Sequence, residues 1–302
     1  MKVSALWVSL LAGSLGCACA QVTVEVTQEQ KHFLQGEALP VTVRITNRSG
    51  QSLHLGAGDD WLTFFIEGRE GMVVPKLREV PVAGEFTLET SKAAVKSADL
   101  APWFVLNQQG HYSIVATVRI KQWNQEVSSR PAQFDIVEAA KLWEQSVGLP
   151  VTAGGDNRMP EVHKYILQQA AYLKSQLRLY LRVTDAYDKA IRVVPVGQML
   201  SFSKPDPRVD KFSNLHLLYQ SGPHSFSYNL FNPEGEILNR QTYDYVNTHP
   251  HFRADEEGNV SVVGGVRRVT ANDVPPAQAD DATTAAPAPN SPPGTTNTAP
   301  KR

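Results

Sequence analysis

Beyond position 19 this sequence has no cysteine: its two cysteines, Cys17 and Cys19, fall in the first twenty residues. That excludes disulfides, thiolate metal sites and a cysteine nucleophile from the rest of the chain. An excess of charge of one sign is also lacking. The 29 Lys and Arg face 30 Asp and Glu, a net charge of −1, so no strong field favours nucleic acid or an anionic membrane. There is no Gly-x-Ser-x-Gly elbow, phosphate loop, dinucleotide fingerprint or helical His-Glu-x-x-His pair. No cofactor or metal is therefore expected. His224 with His249-Pro250-His251 is the only close histidine group, and it reads as turn chemistry short of a ligand set. Gly58-Asp59-Asp60 lacks the alternating acid spacing of a calcium loop.

What is present begins at the N-terminus. Lys2 precedes an apolar run from Ala5 to Leu15, and the small-residue site Ala18-Cys19-Ala20 follows. This is the layout of a secretory signal peptide cleaved before Gln21. The run is shorter than the roughly 20 apolar residues that span a bilayer. Ser14-Leu15-Gly16-Cys17 offers an alternative, a lipid anchor through Cys17, but Ser14 stands where such signals carry a large aliphatic residue. The chain reads as exported, periplasmic or extracellular. Removing residues 1–20 takes away Lys2 and no acid, leaving 28 basic against 30 acidic residues, with no transmembrane segment. In an oxidising compartment without thiols, the core must hold by burial alone.

Residues 21–138 alternate. Val22, Val24 and Val26 interleave with Thr and Glu, and Val41, Val43 and Ile45 with Thr and Arg. Period two with β-branched residues predicts strands with one buried face. Ser52–Leu55, Leu62–Ile66, Val73–Val74 and Ala94–Ala98 are further candidate strands. Turn chemistry at Gln35-Gly36-Glu37 and Asn47-Arg48-Ser49-Gly50 separates strands at the spacing of a β-sandwich.

The stretch Gln109-Gly110-His111-Tyr112-Ser113-Ile114, leading into Val115–Ile120, resembles the penultimate strand of immunoglobulin-like domains. In that family a Gly-x-Tyr step enters the strand, and the tyrosine closes a corner by hydrogen bonding to nearby backbone. The resemblance to bacterial modules of this kind implies three structural residues: Gly110, Tyr112 as the corner, and Ile114 in place of the disulfide cysteine. Phe33–Asn47 resembles their early strand pair. The last strand would be Pro131–Val137, with Phe134 and Ile136 inward. The resemblance implies architecture and no catalytic residue.

Residues 139–160 read as a connector, helical or packed. Residues 161–272 read as a second antiparallel β domain, with Val162–Leu173 open between helix and strand. Two sets of four short strands run from Leu179 to Tyr219 and from Ser225 to Val263, offset by roughly 45 residues. They suggest a duplicated four-strand meander. Residues 273–302, rich in Pro, Ala and Thr, have too few large apolar groups to offset ordering entropy and read as a disordered tail.

The fold class expected is all-β: an Ig-like sandwich, a second antiparallel domain and a tail. The function expected is non-enzymatic binding of a protein or polysaccharide, or interaction at the cell envelope. A secreted hydrolase with a carboxylate pair in the second domain is the rival, since folding rather than spacing sets such pairs. A structural envelope component is a third reading. Trp123, set between Lys121 and Asn124 in a loop spanning residues 121–127, is the candidate recognition residue, because aromatics in polar surroundings are enriched at hot spots. Its competing reading is a plug over the sandwich end. Asn47-Arg48-Ser49 and Asn259-Val260-Ser261 match the glycosylation sequon.

Overall fold

A computed structural model describes residues 21–149, 161–173 and 176–275. The expected signal peptide, with Cys17 and Cys19, and the tail from Pro276 onward lie outside the described residues. The regular structure of the described chain is nearly all strand, and the chain divides into two compact units at Ser201/Phe202.

The first unit opens with β1 (Val22–Thr27), β2 (His32–Leu34), β3 (Pro40–Asn47), β4 (Leu53–Leu55), β5 (Leu62–Glu67), β6 (Phe86–Leu88), β7 (Ala93–Asp99), β8 (Gly110–Ile120), β9 (Gln125–Ser128) and β10 (Ala132–Val137). One sheet has the order β1-β3-β7, a second β2-β10-β8-β5 with β9 added to β8, and β4 pairs β6. All pairings are antiparallel except β10 with β2, which is parallel. Alternation explains the architecture. Val41, Val43 and Ile45 of β3 are all at most 1% exposed, and they meet Phe64, Ile66, Ile114, Ala116 and Val118 of the other sheet in one apolar core. Each such Val or Ile contributes about 1.5–3 kcal/mol by leaving water. Trp61 lies inside this core and donates its indole N–H to Val82 O at 2.7 Å.

The segment expected as a connector is largely strand. β11 (Ala140–Gly148), β12 (Val162–Leu173), β13 (Gln176–Asp185) and β14 (Ala190–Met199) form a four-stranded antiparallel meander. β11 escaped sequence reading because all but Trp143 and Val147 of its residues are exposed, so it carries no alternation. β12 is the strand alternative of an ambiguous stretch: its ten-pair register with β13 overrides the helical propensity of its Ala, Leu and Gln. The two-residue alternation of β2 joins the sheets of this unit. Phe33 enters the two-sheet core, while Leu34 packs with Ala170, Tyr180 and Val193 of the meander.

The second unit contains β15 (Asp206–Val209), β16 (Leu215–Gln220), β17 (Ser225–Phe231), β18 (Ile237–Asp244), β19 (His251–Ala254), β20 (Val260–Val263) and β21 (Val266–Arg268). One sheet has the order β15-β16-β17-β18-β21, and β19 pairs β20. β14 ends at Met199, and a turn follows at Ser201 and Phe202. The two four-strand meanders are therefore β11–β14 and β15–β18, framed two strands earlier than the sequence offset placed them. The first residues of the tail expected from residue 273 are ordered against the second unit's sheet. Asp273 is buried, accepts from Thr270 N and Oγ1, and is followed by a bridge between Val274 and Arg240.

The sequence offset has a local cause. Four hairpins turn on the same five-residue device, at Asp185–Lys189, Asp210–Asn214, Asn232–Glu236 and Asp255–Asn259. In each, the first side chain accepts the backbone N–H of the fifth residue at 2.7–2.9 Å. The fourth residue adopts positive φ: Asp188 (63°), Ser213 (65°), Gly235 (77°) and Gly258 (80°). Asp and Asn suit this role because their short side chains bond backbone ahead of them. The repeating element is the single hairpin, and two of them make the 45-residue offset.

Candidate functional site

A groove of the first unit lies where the two-sheet body ends, and it is built by two segments that leave the sheets. After β5 the chain reverses tightly. Glu70 (φ 59°) and Gly71 (φ 78°) take left-handed backbone, Gly68 N donates to Met72 O at 2.8 Å, and Val74 N donates to Ile66 O at 2.9 Å. The returning strand thus pairs with the free edge of β5, with Val73 bridging Glu67. Onward, Leu77 N donates to Trp103 O and Val105 N to Pro75 O, tying residues 75–77 to the approach to β8. Met72, Val73 and Leu77 are left outside, 61%, 57% and 63% exposed.

Tyr112 holds the second wall. Its hydroxyl donates to Gln108 O, four residues upstream, at 2.7 Å, and its ring stacks on Phe134 with centroids 5.2 Å apart. Burial pushes the phenol pKa up, so the group stays a neutral donor. A Cβ at Gly68 would sit 3.3 Å from the Tyr112 ring, so a larger residue there requires the ring to shift by a few tenths of an ångström. Between the walls lies a groove of about 600 Å³ lined by Met72, Val73, Val74, Pro75, Val105 and Tyr112, with Arg69, Glu70, Asn107–Gln109 and His111 among its polar lining. His111 is hydrogen bonded to Asp135, which lies 3.4 Å from His32 Nε2. An apolar channel between two extended walls can take an extended chain; the groove presents no nucleophile–base pair.

The residues singled out in the sequence divide between two places. Gly110 and Tyr112 line the groove, and Ile114 lies wholly buried beneath it. Trp123, Lys121 and Asn124 sit together elsewhere, and their segment is not a long loop. A 3-10 turn over Lys121–Trp123 and left-handed Asn124 (φ 49°) connect β8 directly to β9, which begins at Gln125. Trp123 is half-buried and packs against the two-sheet core. Lys121 Nζ donates to Ala57 O at 2.6 Å and lies 3.6 Å from Asp60, whose other oxygen accepts from Arg119 at 2.6 Å. Gly58-Asp59-Asp60 is thus an ion-pair anchor.

Met72, Val73 and Val105 were missed as site residues. The one available signal was Val73–Val74, which reads as a candidate strand. Of the histidines, His249 stacks on Tyr245 at 4.0 Å between centroids and His224 at 6.5 Å. Among the described residues no group of three or more His, Cys, Asp or Glu is arranged to hold a metal ion, and no helix is long and apolar enough to cross a membrane. The sequon asparagine Asn47 is fully buried, with Nδ2 donating to Gln51 O and Leu88 O, which takes it away from any glycan.

No protein-family model matches the chain, and no curated protein matches it in sequence. Among solved structures it is similar to Spo0M, a sporulation control protein from Bacillus subtilis, at 8% identity over 54% of this chain and 79% of that one, with a TM-score of 0.29. A likeness at that level carries no argument about this chain's fold or function.

Proposed function

We propose that this is an exported, non-enzymatic binding protein whose N-terminal immunoglobulin-like sandwich captures an extended, apolar polypeptide segment in the groove beside Tyr112. The observation that carries the reading is the groove itself: about 600 Å³ between two extended walls, with Met72 and Val73 exposed along it. Grooves of this size with apolar walls and a few polar groups are the usual shape of a binding site. Three features support the immunoglobulin-like assignment: the parallel pairing of β2 with β10, the corner bond from Tyr112 to Gln108, and buried Ile114 in place of a disulfide cysteine. Export rests on the sequence of residues 1–20.

The test is selection from an array of random decapeptides by the full mature chain. Peptides rich in Val, Ile and Phe should be enriched. Val73→Asp, on an exposed side chain, should weaken their binding at least about tenfold by adding charge to an apolar wall. Equal binding of the enriched peptides by Val73→Asp protein would refute the groove as the site.

A further inference from the structure

A second cavity in the first unit, of about 460 Å³, has a different character. Phe33, Leu39, Phe104, Leu106, Phe134 and Ile136 supply its apolar wall. Arg182 of β13 and Lys189 of the turn into β14 line it as well. Neither forms an ion pair among the described residues. Arg182 is half-buried and gives Nη2 to Gln35 O at 2.7 Å and Nε to Gln168 Oε1 at 3.0 Å, both neutral acceptors. Burial lowers its pKa. No carboxylate among the described residues pairs with Arg182 or Lys189. The two acids that line the cavity are engaged. Glu37 accepts from Gln30 Nε2 through one oxygen and from Leu34 N through the other, each at 2.7 Å. Asp188 pairs with Lys164 at 2.6 Å.

Two unpaired cations beside an aromatic and aliphatic wall specify a ligand with one anionic end and an apolar body. We infer that this cavity binds a carboxylate carried on an apolar group, its oxygens on Arg182 and Lys189 and its hydrocarbon against Phe104 and Leu106. Guanidinium matches carboxylate in geometry, and such charge-assisted bonds are roughly twice as strong as neutral ones. A cavity of this volume falls within the range that encloses small ligands. Asn107 lines both this cavity and the groove beside Tyr112. The carboxylate therefore has two sources, a free fatty acid or the C-terminus of a peptide.

Calorimetric titration of the full mature chain separates them with four probes: octanoate, octanamide, Gly-Gly-Phe with a free C-terminus, and the same tripeptide amidated. One acid should bind at least about tenfold tighter than its amide, and which acid does so names the source. Lys189→Gln, on an exposed turn, should weaken that acid about three- to tenfold and Arg182→Gln at least about tenfold. Should Arg182→Gln fail to fold, judged by its urea midpoint, Lys189→Gln decides alone. Equal binding of acid and amide, no heat from either acid up to about 10 mM, or unchanged affinity in Lys189→Gln would overturn the assignment. Val73→Asp should leave this binding unchanged, so the cavity and the groove fail independently.

Discussion

The two-sheet body of the first unit and the β15–β18 meander of the second are both built of antiparallel strands, yet they bury different things. In the two-sheet body β3 alternates buried residues with exposed or half-exposed ones, and the core it feeds is apolar. In the meander, five consecutive residues of β16, Leu215 to Tyr219, are buried, one of them a histidine. A polar chain runs through it: Asp210 Oδ2 lies 3.3 Å from His216 Nε2, and His216 Nδ1 lies 3.0 Å from the Tyr228 hydroxyl. On the neighbouring strands Arg240 Nε donates to Asn229 Oδ1 at 2.9 Å, and Asn229 is fully buried. The difference teaches where folding information resides. A strand with one wet face writes its role in period two; a strand covered on both faces does not, and its turns carry the specification.

The largest effect expected from breaking this contrast is at Tyr112. Tyr112→Ala removes the stacked ring and the corner bond together and should cost about 3–5 kcal/mol, read as a lowered urea midpoint. Tyr112→Phe keeps the stack and should cost about 0.5–1.5 kcal/mol. An unchanged midpoint in Tyr112→Ala would remove the corner from the account.

Next is the turn device of the meanders. Asp210 and Asp255 make the same turn, but the Asp210 side chain is only 11% exposed and also meets His216. Burial pushes the Asp210 carboxyl up, and hydrogen bonds from Asn214, His216 and Phe212 outweigh it and hold the pKa below the usual value of 3.8. A depressed acid adds stability that is present above its unfolded value and lost as pH falls through the folded one. Asp210→Ala should therefore cost about 1–3 kcal/mol at pH 7 and should shed part of the acid destabilisation. Asp255→Ala, at an exposed turn, should move the midpoint far less. Equal effects would show that the turn alone, and not the buried chain, makes Asp210 important.

Trp123→Ala sharpens the comparison on the other side. Half-buried against the two-sheet core, the indole should contribute about 1–2 kcal/mol by area, and its loss should leave peptide capture by the groove intact. Normal stability with lost capture would return Trp123 to the recognition role.

The smallest effect is at Glu37. Burial pushes its carboxyl above the ordinary 4.5, against hydrogen bonds from Leu34 N–H and Gln30 and the charge of Arg178. The folded state then holds the proton longer than the unfolded one, so stability declines as pH rises through 4.5 toward the raised folded value and is flat above it. Glu37→Gln should flatten the pH–stability curve over that window. A slope that persists unchanged would assign the window to other groups.

These cases mark how much of the molecule was legible in its sequence. Val41–Ile45 and Val22–Val26 announced their strands, because alternation of β-branched residues has one physical meaning. β11 and β12 were not legible. β11 is mostly exposed, and β12 is composed of residues that a helix accepts as readily, so pairing with β13 decided it. The groove was not legible: Tyr112 and Gly110 stood out as structural residues only, and Met72 and Val73 become exposed because Glu70 and Gly71 reverse the chain against the edge of β5. An exposed apolar residue in a loop carries no periodic mark.

Hydrogen–deuterium exchange of the full mature chain, with and without an array-selected apolar decapeptide, tests the central claim most directly. The account predicts new protection in residues 68–77 and 105–112, with none in the β15–β18 meander. Protection confined to residues 202–275, or to the Trp123 turn, would contradict it.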